Sequence, residues 1–115
     1  MRNSELIHNT VLSWEGVTEH PHRFGGTEYR LGKREIGHIH GDRLVDIPFT
    51  KKARDQAIQE GKAEAHHILP DSGWVSIWLR EPKNVDDALE LLGRSLQLAL
   101  KQRANRQARE TNPRQ

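Results

Sequence analysis

Three short β-type segments follow one another between Phe24 and Phe49, with a two-residue turn sequence between neighbours. The segments read GTEYRL, REIGHIH and RLVDIPF, and the turns are Gly32-Lys33 and Gly41-Asp42. Glycine readily adopts the backbone angles of tight hairpin turns. The pattern therefore predicts an antiparallel three-stranded meander.

The register of the second hairpin decides which side chains share a face of this sheet. A two-residue turn at Gly41-Asp42 places His40 opposite Arg43 and His38 opposite Val45. One face is then expected to carry Ile36, His38, Val45 and Ile47, joined by Tyr29, and the other face to carry Glu28, Arg30, Ile39 and Asp46. On this interpretation His38 is a structural histidine at the margin of an apolar layer. Glu28 and Asp46 are solvent-facing carboxylates that could form an acid-base pair.

Capping and turn residues divide the rest of the chain. Ser4 can cap a first helix that runs to about Ser13, and Thr50 can cap KKARDQAIQE, which Gly61 closes. EAHHIL and WVSIWL flank a Pro-Asp-Ser-Gly turn and predict a second hairpin. Asn84 can cap VDDALELLGRSLQLAL, whose apolar face carries Val85, Leu89, Leu92, Leu96 and Ala99. The prediction is one α+β domain in the order α-β-β-β-α-β-β-α, with helices covering a mainly antiparallel sheet.

Charge is distributed unevenly along the 115 residues. Residues 101–115 hold five basic residues against one acidic, a net +4, whereas residues 1–100 hold 13 against 15, a net −2. The first 102 residues are therefore predicted to form the domain, and residues 103–115 to form a flexible basic tail. An acidic body argues against nucleic-acid binding by residues 1–100, so the tail would have to carry such an activity.

Two further features limit the class of protein. The chain has no Cys, which excludes disulfides, thiolate nucleophiles and Cys-based metal sites. No apolar run is long enough to cross a membrane, and the N-terminus lacks the apolar core of a signal peptide. The expected location is the cytoplasm.

Six of the seven histidines fall in three close pairs. Residues i and i+2 of a strand point to the same side, so His38 and His40 could offer two imidazoles to one ion. His20 and His22 have the same spacing around Pro21. The candidate ligands of a zinc, nickel or copper ion are His20, His22, His38, His40, His66 and His67. Nothing in the sequence brings the pairs together, and a structural role for the histidines stays open.

Trp74 and Trp78 lie on one face of a predicted strand, where they could stack on a flat ligand. Core packing is the favoured alternative, because these side chains carry the largest apolar area available. The candidate residues for binding a ligand are His38, His40, Arg43, Trp74 and Trp78. Trp14 is expected to pack against the core.

The segments HPHRFGGTEYRLGKREIGHIHGD, LVDIPF and HHILPDSGWVSIWL, in this order, resemble a family of uncharacterised bacterial proteins labelled luciferase family or luciferase domain. This label carries no established light-producing activity that can be attached to the residues. More distantly, GWVSIWL and the leucine-rich helix that follows are similar to the MmcQ/YjbR group. That resemblance implies a compact α+β double-wing fold, for which DNA binding has been suggested by shape.

These observations predict a small cytoplasmic binding or interaction module whose partner is a small molecule or a protein. The alternative is a histidine-cluster metal-binding protein or small enzyme, and the third hypothesis is nucleic-acid binding. Convergence of at least two histidine pairs on one concavity would favour the metal hypothesis over the module.

Overall fold

The computed structural model describes residues 1–23 and 25–111. Three helices and six strands follow one another along the chain. In order they are α1 (Asn3–Leu12), β1 (Val17–Pro21), β2 (Thr27–Leu31), β3 (Arg34–His40), β4 (Leu44–Pro48), α2 (Lys51–Gln59), β5 (Glu64–Ala65), β6 (Trp74–Trp78) and α3 (Pro82–Thr111).

All six strands form one antiparallel sheet in the spatial order β1-β2-β3-β4-β6-β5. The predicted α+β class, antiparallel sheet and element order are confirmed. The structure adds β1 ahead of the predicted meander. This strand pairs along its full length with β2, from Val17 opposite Leu31 to Pro21 opposite Thr27.

One face of the sheet is covered by helices. α3 packs across β2, β3, β4 and β6, and α1 packs against β1 and α3. The predicted apolar stripe of α3 is confirmed, since Val85, Leu92, Leu96 and Ala99 are buried and Leu89 is partly buried against the core. Gly37 allows this close packing, because a Cβ there would lie 2.5 Å from a side-chain methyl of Leu92. Trp14 also packs against the core, as predicted.

The predicted helix caps are confirmed at α2 and wrong at α1 and α3. Ser4 lies inside α1, which begins at Asn3 and has no side-chain cap. The Thr50 hydroxyl accepts a hydrogen bond from the Ala53 amide and caps α2, as predicted. Asn84 was predicted to cap the last helix, but α3 begins at Pro82 instead. The Asn84 side chain reaches back and accepts hydrogen bonds from the Arg80 and Glu81 amides. Proline suits a first helical position because it has no N–H to leave unpaired.

The basic segment after residue 102 continues α3 as a helix to Thr111, and every residue from 101 to 111 is exposed. The flexibility of this segment stays a prediction. Residues 112–115, which belong to the same predicted tail, lie outside the described residues.

The predicted register of the β3–β4 hairpin is wrong by one residue. The turn contains three residues, 41–43, so that His40 lies opposite Leu44 and His38 lies opposite Asp46. A shift of one residue moves every side chain of β4 to the other face. Val45 and Ile47 lie in the apolar layer as predicted, but they share the helix-covered core with Ile39 and not with His38. Asp46 shares the other face with His38.

The second predicted hairpin is present but shorter on its first side. Only Glu64 and Ala65 of EAHHIL form a strand, opposite Ser76 and Val75 of β6. Val75 and Ile77 are buried in the core, whereas Trp74 and Trp78 are only half-buried on the opposite face. Core packing of the two tryptophans, the favoured alternative, is therefore wrong.

Within the described ranges, no helix combines the length and apolar character needed to cross a membrane. The cytoplasmic location stays a prediction.

A candidate metal centre of histidines and one aspartate

A row of polar residues crosses the sheet on the face that the helices leave open. Residues directly opposite one another in adjacent strands share a face. Here the register aligns His20, Glu28, His38, Asp46, Ser76 and Glu64, one from each strand. His38, Asp46 and Ser76 in the middle of this row are all buried.

An irregularity in β3 brings Glu35 to the same face. The pairing shifts between Tyr29 and Arg30, so that Arg30 lies opposite Glu35 and Tyr29 lies opposite Gly37. Ile36 is the extra residue of this bulge and is buried in the core. In a regular strand, residues three apart would point to opposite faces. Because of the bulge, Glu35 Oε2 lies 2.6 Å from His38 Nδ1.

His22 reaches the row from the turn between β1 and β2. The His22 amide donates to the Gly26 carbonyl at 2.9 Å. A Cβ at Gly26 would lie 2.4 Å from the Ile39 carbonyl oxygen, so this close approach requires glycine. The turn sets the His22 ring parallel to the His38 ring, with 3.9 Å between the ring centres.

His66 and His67 arrive from the other side, where the chain leaves β5. The His67 amide donates to the Ser76 hydroxyl at 3.3 Å, which ties this segment to β6. The His66 Nδ1 atom accepts hydrogen bonds from the Ile68 and Leu69 amides at 3.1 and 3.0 Å. These contacts hold both rings over Asp46.

Asp46 is the point on which the histidines converge. Its Oδ2 atom lies 3.3 Å from Nε2 of His38, 3.2 Å from that of His40, 3.3 Å from that of His67 and 3.6 Å from that of His66. Its Oδ1 atom accepts a hydrogen bond of 2.7 Å from the Ser76 hydroxyl. Two neighbouring groups of possible metal ligands meet here, one of His22, His38 and His40 and one of Asp46, His66 and His67, and we call the six residues together the His/Asp cluster.

Burial and hydrogen bonding have opposite effects on the pKa values of His38 and Asp46. Burial alone would lower the pKa of His38, but hydrogen bonds to Asp46 and Glu35 raise this pKa to about 9. Burial alone would raise the pKa of Asp46, but hydrogen bonds from His38 and Ser76 hold it well below its usual range. Burial lowers the pKa of His40 and of His66. Asp46 is therefore a carboxylate at neutral pH.

Two carboxylates fix the orientation of two imidazoles. Glu35 faces Nδ1 of His38, and Glu28 Oε1 lies 3.0 Å from Nδ1 of His22. A carboxylate at Nδ1 holds a proton there, which directs Nε2 of the neutral ring towards a metal ion. Glu28 also accepts from Arg30 Nε at 2.5 Å. Although burial alone would raise the pKa of Glu28, the bonds to Arg30 and His22 lower it.

His66 has the opposite proton arrangement. Because its Nδ1 accepts two backbone N–H groups, the neutral ring carries its proton on Nε2, on the side of Asp46. His66 is therefore suited to donate to Asp46 rather than to bind an ion through Nε2.

The cluster opens into a cavity of about 380 Å³. Trp74 forms part of its wall, with its ring centre 5.4 Å from that of His38 and 5.8 Å from that of His66. Ile68 and Leu69 also line the cavity, although their side chains are 70% and 51% exposed. Large exposed apolar side chains beside a polar site form an apolar rim.

The predicted site residues are distributed unequally around this centre. His22, His38, His40, His66, His67 and Trp74 line the cavity together. His20 does not join them, since its Nε2 lies 2.8 Å from the Thr18 hydroxyl at the edge of the sheet. Arg43 is exposed in the β3–β4 turn, outside the cavity lining. The Trp78 ring packs edge-on against the His67 ring, with 5.9 Å between the ring centres, and Trp78 also lies outside the cavity lining.

Sequence reasoning missed the roles of Asp46, Glu35 and Ser76. Asp46 was expected on the solvent-facing side with Glu28, but it is 1% exposed in the central row. The available signal was an aspartate between the apolar residues of LVDIP in a central strand, where an unpaired charge would be costly. Glu35 could be found only by recognising the bulge.

Comparison with known proteins gave one match. No curated protein and no solved structure matches the chain. The resemblance to the MmcQ/YjbR group therefore stays a prediction. A family model described as Luciferase domain matches residues 33–95, more than half of the chain, and this range contains every residue of the His/Asp cluster except His22. The chain belongs to the luciferase-domain family.

Proposed function

We propose that this protein binds one divalent transition-metal ion through His38, His40, His67 and Asp46. The observation that carries the proposal is the convergence of three imidazole Nε2 atoms to within 3.2–3.3 Å of one carboxylate oxygen. One carboxylate oxygen has too few lone pairs to accept well-aligned hydrogen bonds from every ring that approaches it. An ion shared among these atoms explains the arrangement better than hydrogen bonding alone.

The spacing supports coordination. With metal–nitrogen and metal–oxygen bonds of about 2.0–2.1 Å, two ligand atoms of a tetrahedral site lie about 3.3–3.4 Å apart. The separations of His38, His40 and His67 from Asp46 Oδ2 come close to this value. Each of the three imidazoles is therefore spaced to share an ion with Asp46.

The surrounding groups support the same proposal. Glu35 faces Nδ1 of His38 and favours the tautomer that a metal ligand needs, while the Ser76 hydroxyl donates to Oδ1 of Asp46. Such outer hydrogen bonds are typical of metal sites, since they fix ring orientation and raise ligand basicity. His22, which Glu28 holds in the same way, is available as a further ligand for an ion that takes more than four.

The chemistry of the donors selects the class of ion. Imidazole suits zinc, copper, nickel and iron, whereas magnesium and calcium prefer sites made of oxygen atoms. The apolar rim of Ile68, Leu69 and Trp74 beside the ligands would suit a small molecule with an apolar body. The binding module predicted from the sequence is thus proposed to be metal-dependent.

The test is a titration of metal-free full-length protein with Zn²⁺, Ni²⁺ and Cu²⁺ by calorimetry, with Mg²⁺ as the hard-ion control. We expect one ion per chain for at least one of the three transition metals and no binding of Mg²⁺. His38→Ala and Asp46→Asn should abolish this binding. His20→Ala is the matched control, because His20 is another β-strand histidine but lies outside the cluster.

Two results would contradict the proposal. One is the absence of stoichiometric binding for all three transition metals. The other is an equal loss of affinity in His20→Ala and His38→Ala, which would show that binding is dispersed over surface histidines. Circular dichroism of each variant separates loss of binding from loss of folding.

A further inference from the structure

A second cleft lies at the end of β3 farthest from His40, between the β2–β3 turn and the exposed half of α3. Its volume is about 260 Å³. The cleft is lined by Leu31, Gly32, Lys33, Arg34, Ala99, Gln102, Arg103 and Arg106. Four of these side chains are cationic and none is acidic. Lys33 lies in the β2–β3 turn, and Arg34 is the first residue of β3. Arg103 and Arg106 lie on α3, about one helical turn apart.

The four cations have no partner within the part of the chain that the structure describes. No ion pair and no side-chain hydrogen bond is formed there by Lys33, Arg34, Arg103 or Arg106. Other basic residues of the same fold are paired: Arg94 contacts Glu60 and Glu90, and Lys83 contacts Asp87. Like charges that share one cleft repel one another, so fold stability does not account for this arrangement.

We propose that this cleft binds a ligand carrying two or three linked phosphate groups. Such a group carries about three to five negative charges at neutral pH, which matches four cations. Arginine guanidinium groups bind phosphate oxygens in pairs of parallel hydrogen bonds, and three of the four cations are arginines. The remaining lining is small, aliphatic or amide, which leaves the charged groups to make the specific contacts.

The composition of the cleft favours a compact anion over a nucleic acid. None of the described residues that line it is aromatic, so a base would find no ring among them on which to stack. A long polyanion would also have to pass the rest of the domain, where residues 1–100 carry a net charge of −2. A di- or triphosphate needs only the cleft. This site is separate from the His/Asp cluster, and the proposal does not depend on metal binding.

Calorimetry of the full-length, metal-free protein with tripolyphosphate tests the proposal, with sulfate as the control anion. We expect one tripolyphosphate per chain, at least about tenfold weaker binding of sulfate, and weaker binding at higher salt. Arg34→Gln and Arg103→Gln should each reduce tripolyphosphate affinity by about tenfold or more. Arg109→Gln is the matched control, because Arg109 lies on the same helix, is also exposed and does not line the cleft.

An equal effect of Arg103→Gln and Arg109→Gln would overturn the proposal, since it would show diffuse attraction to a basic helix. Absence of tripolyphosphate binding to wild-type protein would overturn it as well. A third arm uses a single-stranded oligothymidylate. If this binds through Arg34 and Arg103 while tripolyphosphate neither binds nor competes, the cleft recognises a nucleic-acid backbone and the proposed ligand class is wrong. Asp46→Asn should bind tripolyphosphate like wild type, which separates this proposal from that of the metal centre.

Discussion

The unfolding free energy of the metal-free protein should fall between pH 6.5 and pH 9 because of one histidine. His38 is 6% exposed between Glu35 and Asp46, and its pKa is raised from 6.5 to about 9. A group whose pKa is higher in the folded state stabilises that state fully below its unfolded-state pKa. The stabilisation is lost as the pH rises through the folded-state pKa. The contribution of His38 is therefore expected to be complete well below pH 6.5, to be mostly lost by about pH 9 and to disappear above that pH.

The magnitude follows from the same values. A tenfold change in a proton-binding constant is worth about 1.4 kcal/mol, so a rise from 6.5 to about 9 corresponds to roughly 3 kcal/mol. Other shifted groups of the described chain act mainly outside this window, although the lowered pKa values of His40 and His66 add a small gain in stability just above pH 6.5. The pKa values of His40 and His66 are lowered, that of Asp46 is lowered further from neutrality, and that of Tyr29 is raised to about 12.

The assay is urea unfolding followed by tryptophan fluorescence at pH 6.5 and pH 9, in the presence of a chelator. From pH 6.5 to pH 9 the unfolding free energy of wild type should fall by roughly 3 kcal/mol more than that of His38→Gln. Glutamine is the chosen substitution because it occupies similar space and does not titrate. His20→Gln is the control and should lose as much as wild type. If His38→Gln and wild type lose equal amounts, the proposed proton on His38 is wrong.

Three further predictions test other parts of the structure. A transition metal at 100 times its dissociation constant should raise the unfolding free energy of wild type by about 2.7 kcal/mol, and should leave Asp46→Asn unchanged in thermal or urea unfolding. Gly26→Ala places a Cβ 2.4 Å from the Ile39 carbonyl oxygen, and backbone cannot move aside as a side chain can. We expect a loss of at least about 2 kcal/mol in urea unfolding. Thr50→Ala removes the cap of α2 and should lower the unfolding free energy by about 1 kcal/mol. Metal affinity measured by calorimetry should not change. A loss of affinity in this variant would contradict the prediction.

Local patterns were sufficient to predict most elements of the fold. The Thr50 cap, the Gly61 helix end and the turn glycines each depend on neighbouring residues alone, and the corresponding elements are present. The apolar stripe of α3 likewise follows from helical periodicity. β1 was missed because VTEHP has neither clear alternation nor a β-branched run, and its pairing with β2 makes it a strand.

The faces of the sheet could not be predicted, because they depend on the length of one turn. Gly41 at φ +55° starts a three-residue turn rather than the two-residue turn expected from Gly41-Asp42. Three-residue turns with a left-handed glycine are common alternatives in hairpins, and the sequence does not distinguish the two. That one residue changes His38 from a neighbour of the apolar core into the partner of Asp46.

The convergence of the histidine pairs needs contacts that no local pattern contains. β4 pairs with β6 across an intervening helix and strand, and this pairing brings Ser76 and the His66-His67 segment to Asp46. The fact that β5 ends at Ala65 also matters, since it frees the two histidines to turn over the sheet. A longer strand, as predicted from EAHHIL, would have pointed them to opposite faces.

The energetics of Asp46 favour function over stability as the reason for the cluster. Burying a carboxylate among imidazoles removes each group from water, and buried ion pairs of this kind add little to stability compared with apolar residues of the same size. Val45 and Ile47, the neighbours of Asp46 in β4, show that the strand otherwise carries such residues. A central strand that interrupts its apolar sequence for one aspartate, surrounded by imidazoles that outer carboxylates orient, has the construction of a binding centre. We therefore expect the surface that the helices leave open to be the face of the sheet on which this domain acts.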